Sequence, residues 1–146
     1  MQTAKSHSVD VLNSFLRGEI SAVETYRQAL EKIDTAPLRA ELQDCLRSHE
    51  TRVSLLKSRV LSLGGAPASS SGAWGSFAKL VEGGAKMFGE KAAISALEEG
   101  EDHGRDDYRR DLQKLDLADR PFIASQVLPE QERTHQTISL LKRALH

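Results

Sequence analysis

Gly100-Glu101-Asp102-His103-Gly104-Arg105-Asp106-Asp107-Tyr108 decides how this chain is read, because its outline occurs twice. The earlier copy is Gly18-Glu19-Ile20-Ser21-Ala22-Val23-Glu24-Thr25-Tyr26, and both run Gly-Glu, six further residues, then Tyr. Seven residues make almost two turns of α-helix, so each Glu shares a helix face with its Tyr. That face is otherwise apolar in both copies. Phe15, Leu16, Val23 and Leu30 continue it around the first, and Ile94, Leu97, Leu112 and Leu115 around the second. A carboxylate on a buried stripe is costly unless something answers its charge. The functional question is what answers these two.

A chain of 146 residues is long enough for one domain with a buried core. Aromatic residues are only 5% of it, against many Leu, Ala, Glu, Lys and Arg, which favours an all-helical fold. The net charge is −1 and the basic residues are dispersed among acids, which is no footprint for nucleic acid. No apolar run approaches the ~18–20 residues needed to cross a membrane. The first residues lack the apolar core of a signal peptide, so a cytoplasmic protein is expected. Cys45 is the only cysteine, which excludes a disulfide framework or a thiolate metal cluster and suits a small core residue.

The 3-and-4 spacing of apolar residues predicts four helices, at about 8–33, 37–63, 90–115 and 120–145. Ser8 reads as the first N-cap and Pro37 as a first-turn residue of the second helix. Gly64-Gly65-Ala66-Pro67 stops that helix. Pro129 should kink or divide the fourth. Residues 64–89 read as one long crossover containing a short amphipathic helix, with Trp74, Phe77, Leu80, Val81, Met87 and Phe88 laid against the bundle. That segment is too short and insufficiently basic for a lipid-facing helix. It is also the patch through which a homo-oligomer would form.

Short turns at 34–37 and 116–119 make two antiparallel hairpins. Counted back from those turns, Glu19 comes level with roughly residues 49–52, and Glu101 with His135. With the hairpins in pseudo-twofold relation, Glu19, His49, Glu101, Glu132 and His135 gather at one height inside the bundle. Carboxylate-bridged dinuclear bundles use such a set, with one Glu from each of two helices and Glu-x-x-His from each of the others. Glu132-Arg133-Thr134-His135 has that spacing, and Glu98 adds a carboxylate three residues before Glu101. Iron or manganese, one or two ions per chain, suits mixed carboxylate and imidazole ligands. The second helix departs from the pattern. Leu46 stands where a ligand Glu would precede His49, and Glu50 could reach inward only through a bulge or an unusual rotamer.

At these residues the chain resembles the ferritin-like superfamily. Gly18-Glu19 with Tyr26, Gly100-Glu101 with Tyr108, and Glu132-x-x-His135 look like the metal helices of rubrerythrin-type proteins. It is similar, more closely, to a bacterial four-helix-bundle family named only as a domain of unknown function. Leu63-Gly64-Gly65-Ala66-Pro67, the Trp-containing crossover, and Leu97-Glu98-Glu99-Gly100-Glu101-Asp102 followed by Tyr108 carry that likeness. The resemblance implies an all-α, ferritin-like four-helix bundle of two antiparallel hairpins joined by one long crossover. By analogy it implies Glu19, Glu101, Glu132 and His135 as metal ligands. His49, with Glu50, would hold a second ion.

Two functions follow as expectations. In the first, the metal site acts on oxygen or peroxide, or handles iron. In the second, the bundle is a metal-free interaction or stress-associated protein without catalytic activity, in which Glu19 and Glu101 pair with His49, His135 or Arg105. Tyr26 and Tyr108 read as core aromatics with satisfied hydroxyls.

Overall fold

The computed structural model describes residues 4–72 and 89–145, and among these there are four long helical segments and no strand. The all-α expectation holds. Helix α1 spans Ala4–Lys32, α2 Ala36–Ser62 and α3 Glu90–Asp111. The fourth segment opens as one turn at Arg120–Phe122, passes through a π-helical stretch at Ile123–Val127, and continues as α4, Leu128–Leu145.

Local chemistry accounts for most of these boundaries. Helix α2 starts at Thr35 with Pro37 in its first turn, where the missing N–H has no helical acceptor to lose. It ends in a Schellman closure: the Gly65 N–H donates to the Val60 carbonyl (3.0 Å) and that of Gly64 to Leu61 (3.0 Å). Gly64 takes φ +80° to make that turn. Pro129 neither breaks the fourth helix nor ends it. Proline cannot donate to the carbonyl four residues back and its ring crowds that carbonyl, so the wider π-helical stretch falls just before it. One boundary differs in kind. Ser8 lies buried within α1, where its Oγ accepts the Asp116 N–H (2.8 Å) and ties α1 to the turn before the fourth helix.

Helix α1 packs along α2, and α3 along the fourth helix, as two hairpins. The hairpins meet chiefly through α1 and α3, and Gly18, Ala22, Gly100 and Gly104 line a cavity between them. Beyond α2 the chain follows the outer face of α1. Asn13 donates to the Ala66 carbonyl (3.0 Å) and accepts the Ala68 N–H (2.8 Å), and Gly72 reaches Arg17. The rest of the expected crossover, with Trp74, Phe77, Leu80, Val81, Met87 and Phe88, lies outside the described residues.

The interior is two apolar clusters with a polar layer between them. One contains Leu12, Phe15, Leu56, Tyr108, Leu115 and Val127, the other Ile94, Leu97, Ile138, Tyr26, Ile33 and Cys45. Adding 82 positions, the offset from Glu19 to Glu101, carries several members of one cluster into the other: Leu12 to Ile94, Phe15 to Leu97, Tyr26 to Tyr108, Ile33 to Leu115, Cys45 to Val127 and Leu56 to Ile138. The internal repeat therefore extends through both hairpins. No helix among the described residues is long and apolar enough to cross a membrane.

Two glycines separate crowding from helix propensity. A Cβ on Gly65 would stand 2.6 Å from Val9 Cγ1, whereas a Cβ on Gly104, inside α3, meets nothing within 4 Å. Gly65→Ala is expected to destabilise the fold by about 1–3 kcal/mol. Gly104→Ala is expected to stabilise it by about 0.5–1 kcal/mol. Urea unfolding of the two variants checks both signs.

Candidate functional site

The answer to the two buried carboxylates is carried by the hairpins themselves. The Tyr26 hydroxyl donates to Glu101 Oε2 (2.6 Å), and the Tyr108 hydroxyl to Glu19 Oε2 (2.9 Å). Each Glu is thus met by the Tyr of the other copy. The exchange shows that α1 and α3 run antiparallel, since moving from Glu19 to Tyr26 along one helix moves from Tyr108 to Glu101 along the other.

His49 joins the two halves. Its Nδ1 lies 2.7 Å from Glu19 Oε1 and its Nε2 2.9 Å from Glu101 Oε2. An ionised carboxylate accepts only, so with Glu19 and Glu101 both ionised the two ring nitrogens carry protons and the ring is an imidazolium. One turn further along α2, Arg52 is 1% exposed. Its Nη1 forms an ion pair with Glu19 Oε2 (3.2 Å), and its Nη2 donates to Thr134 Oγ1 (2.8 Å). Thr134 in turn donates to Glu101 Oε1 (3.0 Å). Two carboxylates face two cations, and the layer is neutral.

Charge states follow from that geometry. Burial disfavours ionised Glu19, but Arg52 and His49 beside it outweigh burial and hold its carboxyl at about 2. Glu101 is lowered in the same way, against burial, chiefly by His49. Burial and Arg52 oppose a charge on His49, yet the two carboxylates raise its pKa above 6.5. Burial and the neighbouring carboxylates push both tyrosine hydroxyls well above their usual range. Burial also takes the Cys45 thiol up to about 12, so it is an inert core residue.

The remaining expected ligands do not converge here. Glu132 is exposed. His135 is half-buried at the edge of the bundle, with Nε2 2.6 Å from Asp102 Oδ1 and 3.2 Å from Arg105 Nη1. Glu98 pairs with Lys142 (2.9 Å) and Glu50 with Arg27 (2.9 Å), both near the surface. The pairing of the carboxylates with His49 is realised, but His135 and Arg105 pair with each other and Asp102 instead. At the level of His49 and Arg52, the partner helix presents Gln131 and Thr134, both buried, and the 82-position offset links His49 to Gln131 and Arg52 to Thr134. The expected Glu132-x-x-His135 turn is one residue, about 100°, out of phase with that pair.

An iron or manganese ion does not suit this donor set. Glu19, His49 and Glu101 are together, but their oxygens and nitrogens face one another in pairs rather than a common point. Among the described residues, no group of three or more His, Cys, Asp or Glu has a geometry for holding a metal ion. A ligating imidazole needs a free lone pair, and both His49 nitrogens are already within hydrogen-bond distance of a carboxylate oxygen. Arg52 already supplies the second positive charge.

A family model described as DUF2383, a domain of unknown function, matches residues 7–114. The chain belongs to this family. The DUF2383 match contains Glu19, Tyr26, His49, Arg52, Glu101 and Tyr108, while Gln131 and Thr134 fall outside it. No curated protein and no solved structure matches the chain.

The sequence pattern does not mark Arg52 or Thr134 as members of this layer, and it puts Gln131 on the inward stripe beside Glu132 without assigning it a role. The signal for Arg52 was its place three residues after His49, on the same face. Removing it leaves Glu19 buried with half its counter-charge, so Arg52→Ala is expected to destabilise by about 3–5 kcal/mol. Tyr108→Phe, which removes one charge-assisted hydrogen bond, is expected to cost about 1.5–3 kcal/mol. Denaturant unfolding measures both.

The pH dependence has two flanks. His49, raised in the fold, contributes fully below its unfolded value of 6.5, and its contribution is lost as pH rises through the folded pKa. Glu19, held at about 2 in the fold, contributes fully above its unfolded value of 4.5 and is lost as pH falls towards 2. Stability is expected to be greatest between about pH 5 and 6. Urea titrations at several pH values should show an alkaline decline that is absent in His49→Gln.

Proposed function

We propose that the protein is a metal-independent helical-bundle module, non-catalytic, which works as an interaction or stress-associated scaffold. The observation that carries this reading is Arg52 together with doubly bonded His49: the bundle supplies its own cations to both buried carboxylates. A buried ionic layer is weak evidence for stability, but it disfavours every helix register that would leave one of its charges unpaired. Here it selects the arrangement in which each Glu meets the Tyr of the opposite copy. The antiparallel pairing of α1 with α3 supports a ferritin-like topology for this module, and the resemblance noted for the metal helices then concerns the scaffold rather than its chemistry.

The convergence of Glu19, His49 and Glu101 favours one rival, an iron or manganese centre acting on oxygen or peroxide. To form it, His49 would have to lose a proton and Arg52 would have to withdraw from the layer. The two readings separate in a melting experiment, because a ligand bound only by the folded state raises the midpoint. Purified protein melted anaerobically with Fe(II), with Mn(II) and with a chelator is expected to give one midpoint in all three. A rise of more than about 4 °C with saturating Fe(II) or Mn(II), the scale of ~1 kcal/mol for a domain of this size, would overturn the proposal.

A further inference from the structure

Beside the ionic layer, between α1 and α3, is a cavity of about 40 Å³. One water requires about 10–15 Å³ by the same measure, so the space takes something larger than a single water. Its walls are apolar or small: Phe15, Ala22, Leu97 and Gly104 line it. Its floor is the layer itself, including Arg52 and Gln131.

Two buried donors on that floor lack a hydrogen-bond acceptor, Gln131 Nε2 and Arg52 Nη1. Gln131 is 3% exposed and Arg52 1%. Arg52 Nη1 is close enough to Glu19 for an ion pair, but its N–H bonds are not aligned on that oxygen. The tyrosine hydroxyls have no proton left to donate to a guest, since each already donates to a carboxylate. The floor therefore calls for an acceptor atom. Buried N–H groups without one cost enough to select strongly for a molecule that brings it.

Charge restricts the class further. Glu19 and Glu101 stand against an anion at this floor, and His49 and Arg52 against a cation. We infer that the cavity is a binding site for a small uncharged molecule of roughly three or four non-hydrogen atoms, with a carbonyl-type oxygen towards Gln131 and Arg52 and an apolar remainder towards Phe15 and Leu97. Short amides have this shape and polarity. The inference rests on the layer being neutral, as in the proposed function. It adds a ligand class to what is otherwise a scaffold.

Acetamide, acetate and acetamidinium share one shape and differ in charge, which makes them the probes. Each is titrated into the full chain, with the side-chain amide of Gln131 and the backbone amides of Leu97 and Gln131 followed by NMR, the backbone signals serving for the variants. Acetamide is expected to saturate in the millimolar range, in keeping with about four atoms of ligand. Acetate and acetamidinium are expected to bind at least ~10-fold more weakly, and Gln131→Leu to lower acetamide affinity at least ~10-fold. If Gln131→Leu does not fold, Gly104→Leu takes its place: its side chain starts where a Cβ meets nothing within 4 Å and fills the cavity from the wall. Absence of saturable acetamide shifts, or undiminished affinity in the folded variant, overturns the site and leaves the scaffold reading standing. Acetate binding more tightly than acetamide overturns the neutral layer and the inference together.

Discussion

His49 lies between two carboxylates from different hairpins, 2.7 Å from one and 2.9 Å from the other, and the arrangement of the bundle turns on that bridge. An imidazolium has two N–H groups on nearly opposite sides of a flat ring, which lets it hold two acceptors apart and in line. Glu19 comes from α1 and Glu101 from α3, so the ring on α2 fixes the height of one relative to the other. Sliding either helix by a turn would leave a buried carboxylate without a donor, an outcome worth several kcal/mol against that register. Arg52 and Thr134 extend the same network to α4, so all four helices contribute to one connected layer.

The layer also explains how two apolar clusters form one core. Each cluster draws its aromatic cap from one copy of the repeat, Tyr26 on one side and Tyr108 on the other, and the two hydroxyls point back to the carboxylates between them. The tyrosines bury their rings in oil and their oxygens in the ionic plane. Within the layer, the repeat breaks on the second and fourth helices. His49 and Arg52 on α2 face Gln131 and Thr134 at the matching places on α4. Were the cationic pair repeated there, four positive charges would meet two negative ones. The asymmetry keeps the layer neutral, and it also leaves the Gln131 amide free to meet a guest.

Much of this was legible from residues alone, and the failures have a common cause. The repeated Gly-Glu with its Tyr located both carboxylates, and the turn-counting that levelled Glu19 with His49 found their contact. The glycine stop at residues 64–65 and the disturbance before Pro129 follow from backbone chemistry that does not depend on tertiary contacts. Hydrophobic periodicity, however, defines a helix face only to within a residue. On the fourth helix it could not choose between Gln131 and Glu132, and the familiar spacing of Glu132 with His135 favoured the wrong member. Arg52 is not legible as a core residue from sequence, because arginine on a stripe ordinarily snorkels to water. Only the two opposing carboxylates make a fully buried guanidinium affordable, and their joint presence is a tertiary fact.

The most direct measurement is the ring ¹⁵N spectrum of His49 at pH 7. The account predicts an imidazolium, with a proton on both Nδ1 and Nε2, and coupling of each to its own hydrogen. A neutral ring with one bare nitrogen would contradict it, because a lone pair facing Glu19 or Glu101 cannot be what holds the hairpins together.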